Sequence, residues 1–503
     1  MIRIGFALAL LVSITYWQFV GEYFHGGDTW PHIWTSRVHG PADVARLLTT
    51  PLLTGTVFPD TVARFYRPVS SLSYALDYGL FGMNAFAFHL TDLLIHGVGT
   101  LALMWLVRLV GASRLAAGVG AATFALHPVM VSVVPSLPRR HDSLAAAAMF
   151  GSLGLLAWAC THAHGWRPRA AIGGALALEV VGAWAKEVGY AEVLLVVPVL
   201  LASMLAQSAA GQGEGVLSRG VRVVSAKRVW WLAGLCLGAA FLLLLARFAV
   251  LGGIGGYYQA PSALVNIDVA ISDYVQYLAW PFEPVVPRSP RGWLAVFGGL
   301  LIGTGLPWLF ATRQARVVIG TGWMWLLAFL AFQTATRSLA PYQMYTAIAG
   351  LAFLVAGVVD AVQRRQRTPA MVGAAWLLIV CGGVLRSSAL LTPYGDWHRA
   401  GELARQYLTT VRPCLDSLPS GATVEVDNYI GGIVDGTPEF VLLQPGILGD
   451  YSVGPAIYLT MPEHRDLRIT ARGAVDLPRA PRAMRVRCED NGGTWHVTGL
   501  YDL

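Results

Sequence analysis

Carboxylates and cations stand in this chain where an apolar sequence has least use for them. Asp28 lies in "YFHGGDTWPH" (23–32), directly after the first hydrophobic segment. Arg139, Arg140, His141 and Asp142 are consecutive in "PSLPRRHDS" (135–143), and Lys186 and Glu187 sit at the tip of "WAKEVGY" (184–190). Arg247, Arg337 and Arg386 each close a long apolar run. Ionisable side chains beside lipid are costly and call for a reason. A set that mixes carboxylates with cations suits a reaction in which a base activates a hydroxyl while positive charge stabilises a departing phosphate. Arg247 and Arg337 are further candidates for that phosphate. His25 and His32 flank Asp28 as side chains able to help hold a metal, whereas His127 and His141 read better as structural.

Positioning these groups falls to a greasy chain. Of 503 residues, 55% are hydrophobic and 13% charged, and the mean hydropathy is +0.54. Soluble domains carry about 25% charged residues, so the composition is that of a polytopic membrane protein. The net charge of +7 does not signal nucleic acid, because the basic residues fall in short clusters between apolar segments, as membrane topology requires. Five cysteines are too few for a disulfide framework, and no CxxC spacing occurs. The opening "MIRIGFALALLVSITYWQFV" is like a signal peptide, but no small-residue cleavage site follows and Tyr16 with Trp17 reads as an interfacial anchor. It is expected to be an uncleaved first helix.

Apolar runs long enough to span, roughly 17–25 residues each, lie near 4–20, 86–107, 113–131, 143–161, 169–186, 188–206, 229–251, 292–312, 317–335, 343–363 and 369–388, giving eleven spans. With the N-terminus inside, every cytoplasmic loop is basic: Arg108 and Arg114, Arg167 and Arg169, Arg219 to Arg228, Arg313 and Arg316, and Arg364 to Arg367. The positive-inside rule therefore sets this orientation. The exoplasmic side receives a first loop at 21–85, a second at 252–291 and the tail. Asp28, Arg140, Asp142, Lys186, Glu187, Arg247 and Arg337 then share one depth on that face.

The first loop contains "PADVARLLTTPLL" (41–53), an amphipathic helix able to lie in the membrane interface. The second contains "ALVNIDVAISDYVQYLAW" (263–280), expected as a re-entrant or interfacial helix. Composition changes near residue 394, dividing the chain into a transmembrane domain (1–393) and an exoplasmic α+β domain (394–503). In the latter, "WHRAGELARQYLTTVRPCLDSL" (397–418) reads as an amphipathic helix. "ATVEVDNYI", "AIYLTM", "LRITA", "AMRVRC" and "TWHVTGLY" read as strands. Cys160, Cys236 and Cys381 fall within spans, where a thiol packs as a small apolar group. Cys414 and Cys488 both fall in the external tail, an oxidising setting, and are expected to form a disulfide.

The order of these pieces resembles a family. "FYRPVSSLSYALDYGLFGMNAFAFHLTDLLIHGVGTLALMWLVRLV" (65–110), "FALHPVMVSVVPSLPRRHDSLAA" (124–146) and "AWAKEVGYAEVLLVVPVLL" (183–201) look like the GT-C membrane glycosyltransferases. The nearest branch contains the transmembrane protein O-mannosyltransferases with tetratricopeptide repeats and their prokaryotic relatives. The likeness covers about residues 20–200 well. The first-loop acid is single here, the family's Glu-Arg element after the ninth span is absent from "PYQMYT" (341–346), and the tail is not a repeat array.

The resemblance implies a mannosyltransferase-like enzyme of the prokaryotic plasma membrane, in the EC 2.4 class. It would move a sugar, with inversion, from a polyprenyl-phosphate carrier to a protein, glycan or lipid acceptor outside. Asp28 maps onto the family's catalytic acid and would be the general base. Arg140, Asp142 and Lys186 map onto positions lining the phosphate–sugar site, and Glu187 would hold Lys186 or position the acceptor. A divalent metal, Mg²⁺ or Mn²⁺, is implied beside Asp28 and Asp142. Membrane lipids are partners by construction, and a larger membrane complex is compatible. The competing classes are a flippase or transporter and a non-catalytic subunit. Transporters place polar residues near the midplane in matched halves, whereas this chain has midspan Glu179 and unmatched halves.

Overall fold

Away from water, a backbone can satisfy its own polar groups only in a helix or a closed barrel. The computed structural model accordingly shows one helix over each of the eleven expected segments. It describes residues 2–162, 165–211, 226–257, 267–279, 290–334, 340–363, 367–388, 395–433, 446–477 and 481–502. The chain is mostly helical. Among the described residues, six helices are long and apolar enough to cross a membrane: Ile2–Val20, Ala85–Leu109, Leu137–Thr161, Glu187–Ser208, Ala226–Leu251 and Arg313–Gln333. Four more apolar helices are shorter: Arg114–Leu126, Leu294–Leu309, Ala349–Gln363 and Met371–Ser387.

Several of these helices meet the site through tight turns rather than α-helix. The segments Pro128–Ser132, Leu137–Arg139, Glu187–Ala191 and Pro341–Met344 are 3₁₀. Three of them carry proline in the first turn, where a missing N–H and a fixed φ are tolerated. At the fourth, Gly189 lies against Gly182 so closely that a Cβ would stand 2.3 Å from the Gly182 carbonyl carbon. Any side chain there would force apart the two helices that Lys186 joins.

Small residues also let the membrane helices approach closely. Gly182 faces Ala145 and Ala148 on the helix Arg140–Thr161, the packing mode expected where lipid removes the hydrophobic drive between helices. Aromatic rings fill the centre, with Phe124 against Phe150 (5.6 Å) and Tyr345 (5.3 Å).

The long loops and the tail form a second core. Phe24, Trp30, Ile33, Tyr74 and Phe88 pack with Tyr407, Val424 and Ile457 of the tail. In the first loop, helices Thr29–Ser36, Pro41–Thr49 and Pro68–Phe81 surround the entry to Ala85–Leu109. The short strand Ala63–Arg64 pairs antiparallel with Gly256–Tyr257, tying the first external loop to the second. Helix Ile267–Leu278 occupies most of the polar segment of the second loop. The tail begins with helix Gly395–Asp416. Its Gly401 sits where a Cβ would stand 2.9 Å from the Tyr23 carbonyl oxygen, so the lack of a side chain lets the tail seat on the end of the first helix.

Behind that helix is a four-stranded sheet in the order Arg468–Arg472, Thr423–Asp427, Thr494–Asp502, Ala483–Asn491. The first two pairings are parallel and the last is an antiparallel hairpin. One expected strand is a helix: "AIYLTM" lies in Val453–Thr460. The run is apolar without alternation. It is buried against both the sheet, where Gly454 meets Ile469, and the loop helix, where Tyr458 meets Trp34 at 5.0 Å. A strand would leave every second residue facing the wrong way. Cys414 and Cys488 are disulfide-bonded across a Cα–Cα distance of 6.1 Å, and Cys160, Cys236 and Cys381 are free.

Candidate active site

Asp28 caps the N-terminus of Thr29–Ser36, but its side chain makes no capping bond. The carboxylate is left for other partners. Tyr451 of the tail donates its hydroxyl to one oxygen, and Arg139 stands 3.9 Å from the other. About a quarter of each side chain of this pair, 27% and 25%, faces solvent. Burial and the nearby Asp28 charge both raise the pKa of Tyr451, which keeps its hydroxyl protonated as a donor. The Asp28 carbonyl holds the imidazole of His32 at 2.6 Å. Burial pushes that imidazole down to about 4, so it stays neutral.

From this pair a row of charges runs across one end of the helices. Arg139 lies over the ring of Tyr342 at 3.7 Å, and Lys186 approaches the same ring at 4.9 Å. Lys186 donates to Asp142, whose second oxygen is 3.4 Å from His141. His141 in turn lies 3.3 Å from Arg67. Arg67 holds Glu187 in a forked pair at 2.6 and 3.1 Å, and Arg247 reaches the same carboxylate at 2.8 Å. Four cations therefore meet three carboxylates along this row. The surplus positive charge is what an anionic headgroup needs.

Most of the residues expected at the site converge on it: Asp28, Asp142, Lys186, Glu187 and Arg247. Arg140 does not. It is fully buried between Asp77 (2.6 Å) and Asp92, with its remaining donors on the Phe88 carbonyl (3.0 Å) and the Ser73 carbonyl (3.4 Å). Each of its guanidinium nitrogens is already engaged and the side chain is fully enclosed, and Arg139 takes the place beside Asp28. Glu187 also departs from expectation, because its partners are Arg67 and Arg247 rather than Lys186. Arg337 lies outside the described residues.

Asp28 and Asp142 do not fit the expected metal pair. Asp28 is engaged by Tyr451 and Arg139, and Asp142 by Lys186 and His141. A divalent cation would have to displace positive partners from both. Among the described residues, the two groups that bring three ligand atoms together include neither acid. No step below passes through a metal at this place.

Three contributors were not singled out from sequence. Arg67 stands in the quoted "FYRP" and Tyr342 in "PYQMYT", so motif position could have flagged both. Tyr451 is 423 positions from the acid it contacts, with no local signal at all.

No protein-family model matches the chain. A segment of 86 residues, 17% of the chain, is 40% identical to Protein O-mannosyl-transferase TMTC1 of Mus musculus. One of 87 residues is 37% identical to the Homo sapiens protein of that name. These segments span only 9% and 10% of the length of those relatives. Among solved structures, ArnT from Cupriavidus metallidurans aligns over 96% of this chain and 92% of its own, at TM-score 0.45 and 16% identity. The Archaeoglobus fulgidus oligosaccharyltransferase aligns over 90% and 64%, at TM-score 0.45 and 12% identity. The structural neighbours are GT-C glycosyltransferases.

Proposed function

We propose that the chain is a membrane glycosyltransferase that uses a polyprenyl-phosphate-linked sugar as donor and works on the exoplasmic face. The eleven helices span the membrane with the N-terminus inside and the tail outside. Asp28 accepts the proton of an acceptor hydroxyl as that oxygen attacks the anomeric carbon. The bond from the anomeric carbon to the acceptor oxygen forms while the bond to the phosphate oxygen breaks. Polyprenyl phosphate leaves with the electron pair, and a single displacement inverts the configuration. Arg139 faces the developing phosphate charge, with Lys186 behind it on the other side of Tyr342. Glu187 orders Arg67 and Arg247 as the far end of the cationic row.

The observation that carries this reading is Asp28 itself. It is a carboxylate freed from capping, open to solvent and paired with a partly exposed arginine at one end of a net-positive row. A purely structural acid would be enclosed and saturated.

The test uses membranes containing the full chain, supplied with radiolabelled polyprenyl-phosphate mannose, glucose and galactose in turn. Label should pass from at least one donor to a membrane or protein acceptor. Asp28→Asn should lower that transfer by about 10²–10⁴-fold with the melting curve unchanged. Full activity in Asp28→Asn would remove the base from the mechanism. Donor crossing proteoliposomes without transfer would replace the enzyme with a transporter.

A further inference from the structure

A second constellation sits beside the first and shares no residue with it. Glu22, His25 and His89 bring one ligand atom each to within 4.8 Å of one another. Glu22 and His25 lie on the exit of the first helix, and His89 lies in the first turns of Ala85–Leu109. All three are almost completely enclosed, at 1%, 1% and 2% exposure. Glu22 Oε2 and His25 Nε2 are 3.3 Å apart. That contact leaves much unexplained. Among the described residues, neither ring nitrogen of His89 has a hydrogen-bond partner, nor does Glu22 Oε1. Buried polar atoms are nearly always satisfied, because each one left bare forfeits its bond to water. Two enclosed ligand residues with bare atoms, Glu22 and His89, standing within reach of the His25 ring point to a missing shared partner.

We propose that Glu22, His25 and His89 bind one zinc-class divalent cation. Two imidazoles and one carboxylate form a donor set suited to zinc, with the fourth position left for water or another ligand. Magnesium and calcium favour all-oxygen shells and are poor matches. Small side-chain adjustments bring the three atoms to about 2.0–2.2 Å from a common ion. Access exists: a cleft of about 630 Å³ is lined by Glu22, Asn84, His398 and Glu402. The tail closes the other flank, where Trp397 meets the His25 ring at 5.3 Å. The ion therefore ties together the end of the first helix and the start of the second, next to the seat of the tail. It fixes the stretch that runs from Glu22 to Asp28, a positioning role, and it stands whether or not the chain transfers sugars.

The test is stoichiometry on the purified full chain in detergent, stripped with a mild chelator and titrated with zinc chloride. Wild-type protein should retain one equivalent of zinc by elemental mass spectrometry, unaffected by millimolar magnesium. Glu22→Gln and His89→Gln should each lose it, with affinity falling by more than the roughly 10–100-fold typical of outer-shell changes. The other three-ligand group, Asp416, Glu463 and His464 on the tail, is controlled by Asp416→Asn, which should keep the equivalent. Cobalt chloride added to the wild-type protein should give visible d–d absorption of nitrogen–oxygen coordination, a readout that needs no variant to fold. No retained zinc and no cobalt bands in wild-type protein would overturn the site. So would an equivalent that survives both Glu22→Gln and His89→Gln, or one abolished by Asp416→Asn.

Discussion

Arg139 and Arg140 are neighbours in sequence and opposites in use. Arg140 begins a helix, is fully enclosed and is held by two aspartates and two carbonyls. Arg139 ends a 3₁₀ turn, is a quarter exposed, and has one distant carboxylate and one aromatic ring. The first belongs to an enclosed ion cluster that joins the helices Pro68–Phe81, Ala85–Leu109 and Arg140–Thr161. The second is a cation with donors to spare. Charge alone does not mark a ligand site. What marks it is charge whose hydrogen-bonding capacity the fold has left unspent.

The largest effect should come from the enclosed side. Arg140→Ala leaves Asp77 and Asp92 buried without their cation, and removing one partner of a buried pair costs about 3–5 kcal/mol. The protein should fail to accumulate, or should melt far below wild type in a detergent thermal assay. A normal melt would put Arg140 in the same class as Arg139 and erase the contrast.

Arg139→Ala should do the reverse, leaving the melt nearly unchanged. Loss of one charge-assisted hydrogen bond, about 1.5–3 kcal/mol, should weaken binding of a short-chain polyprenyl phosphate by about 10–150-fold in calorimetry. Unaltered affinity would move the phosphate along the row towards Lys186 and Arg247.

His32 bridges the two regions, lying 5.3 Å from the Tyr74 ring that covers Arg140 and bonded to the Asp28 carbonyl. Its folded pKa of about 4 lies below the ordinary 6.5. The unfolded chain therefore binds the extra proton first as pH falls. Its contribution to stability is intact above about 6.5 and declines by about 1.4 kcal/mol per unit towards pH 4. His32→Asn should flatten that part of the melting-temperature profile, and an unchanged slope would assign the loss to other groups.

The smallest effect is expected at Tyr451. Tyr451→Phe removes one hydrogen bond to Asp28, worth about 1 kcal/mol, so transfer should fall by less than about tenfold. A loss equal to that of Asp28→Asn would make Tyr451 a partner in proton transfer rather than a brace.

How much of this could be read in the sequence follows from the range of the interactions. Segment periodicity and composition located the eleven helices, the helix at Pro41–Thr49 and the tail helix, because each depends on nearby residues; the cysteine pair, 74 positions apart, was legible because only these two cysteines fall outside the apolar runs. The convergence of Asp28, Asp142, Lys186, Glu187 and Arg247 followed from topology, which needs only the sign of each loop. Which of two adjacent arginines faces inward was illegible, since the answer lies in Asp77 and Asp92 on other helices. "AIYLTM" misled because its partners on both sides come from distant parts of the chain. His89 carries no sequence signal of its own, because the Glu22 and His25 that it meets come from the end of another helix.

The contact between Tyr451 and Asp28 also sets an order of manufacture. The hydroxyl partner leaves the ribosome 423 residues after the acid it holds. A chain released between the two carries the acid, yet lacks the group that holds that acid in place. Assembly of the site thus waits for synthesis through Tyr451, and a fragment abandoned before it carries its acid without that brace.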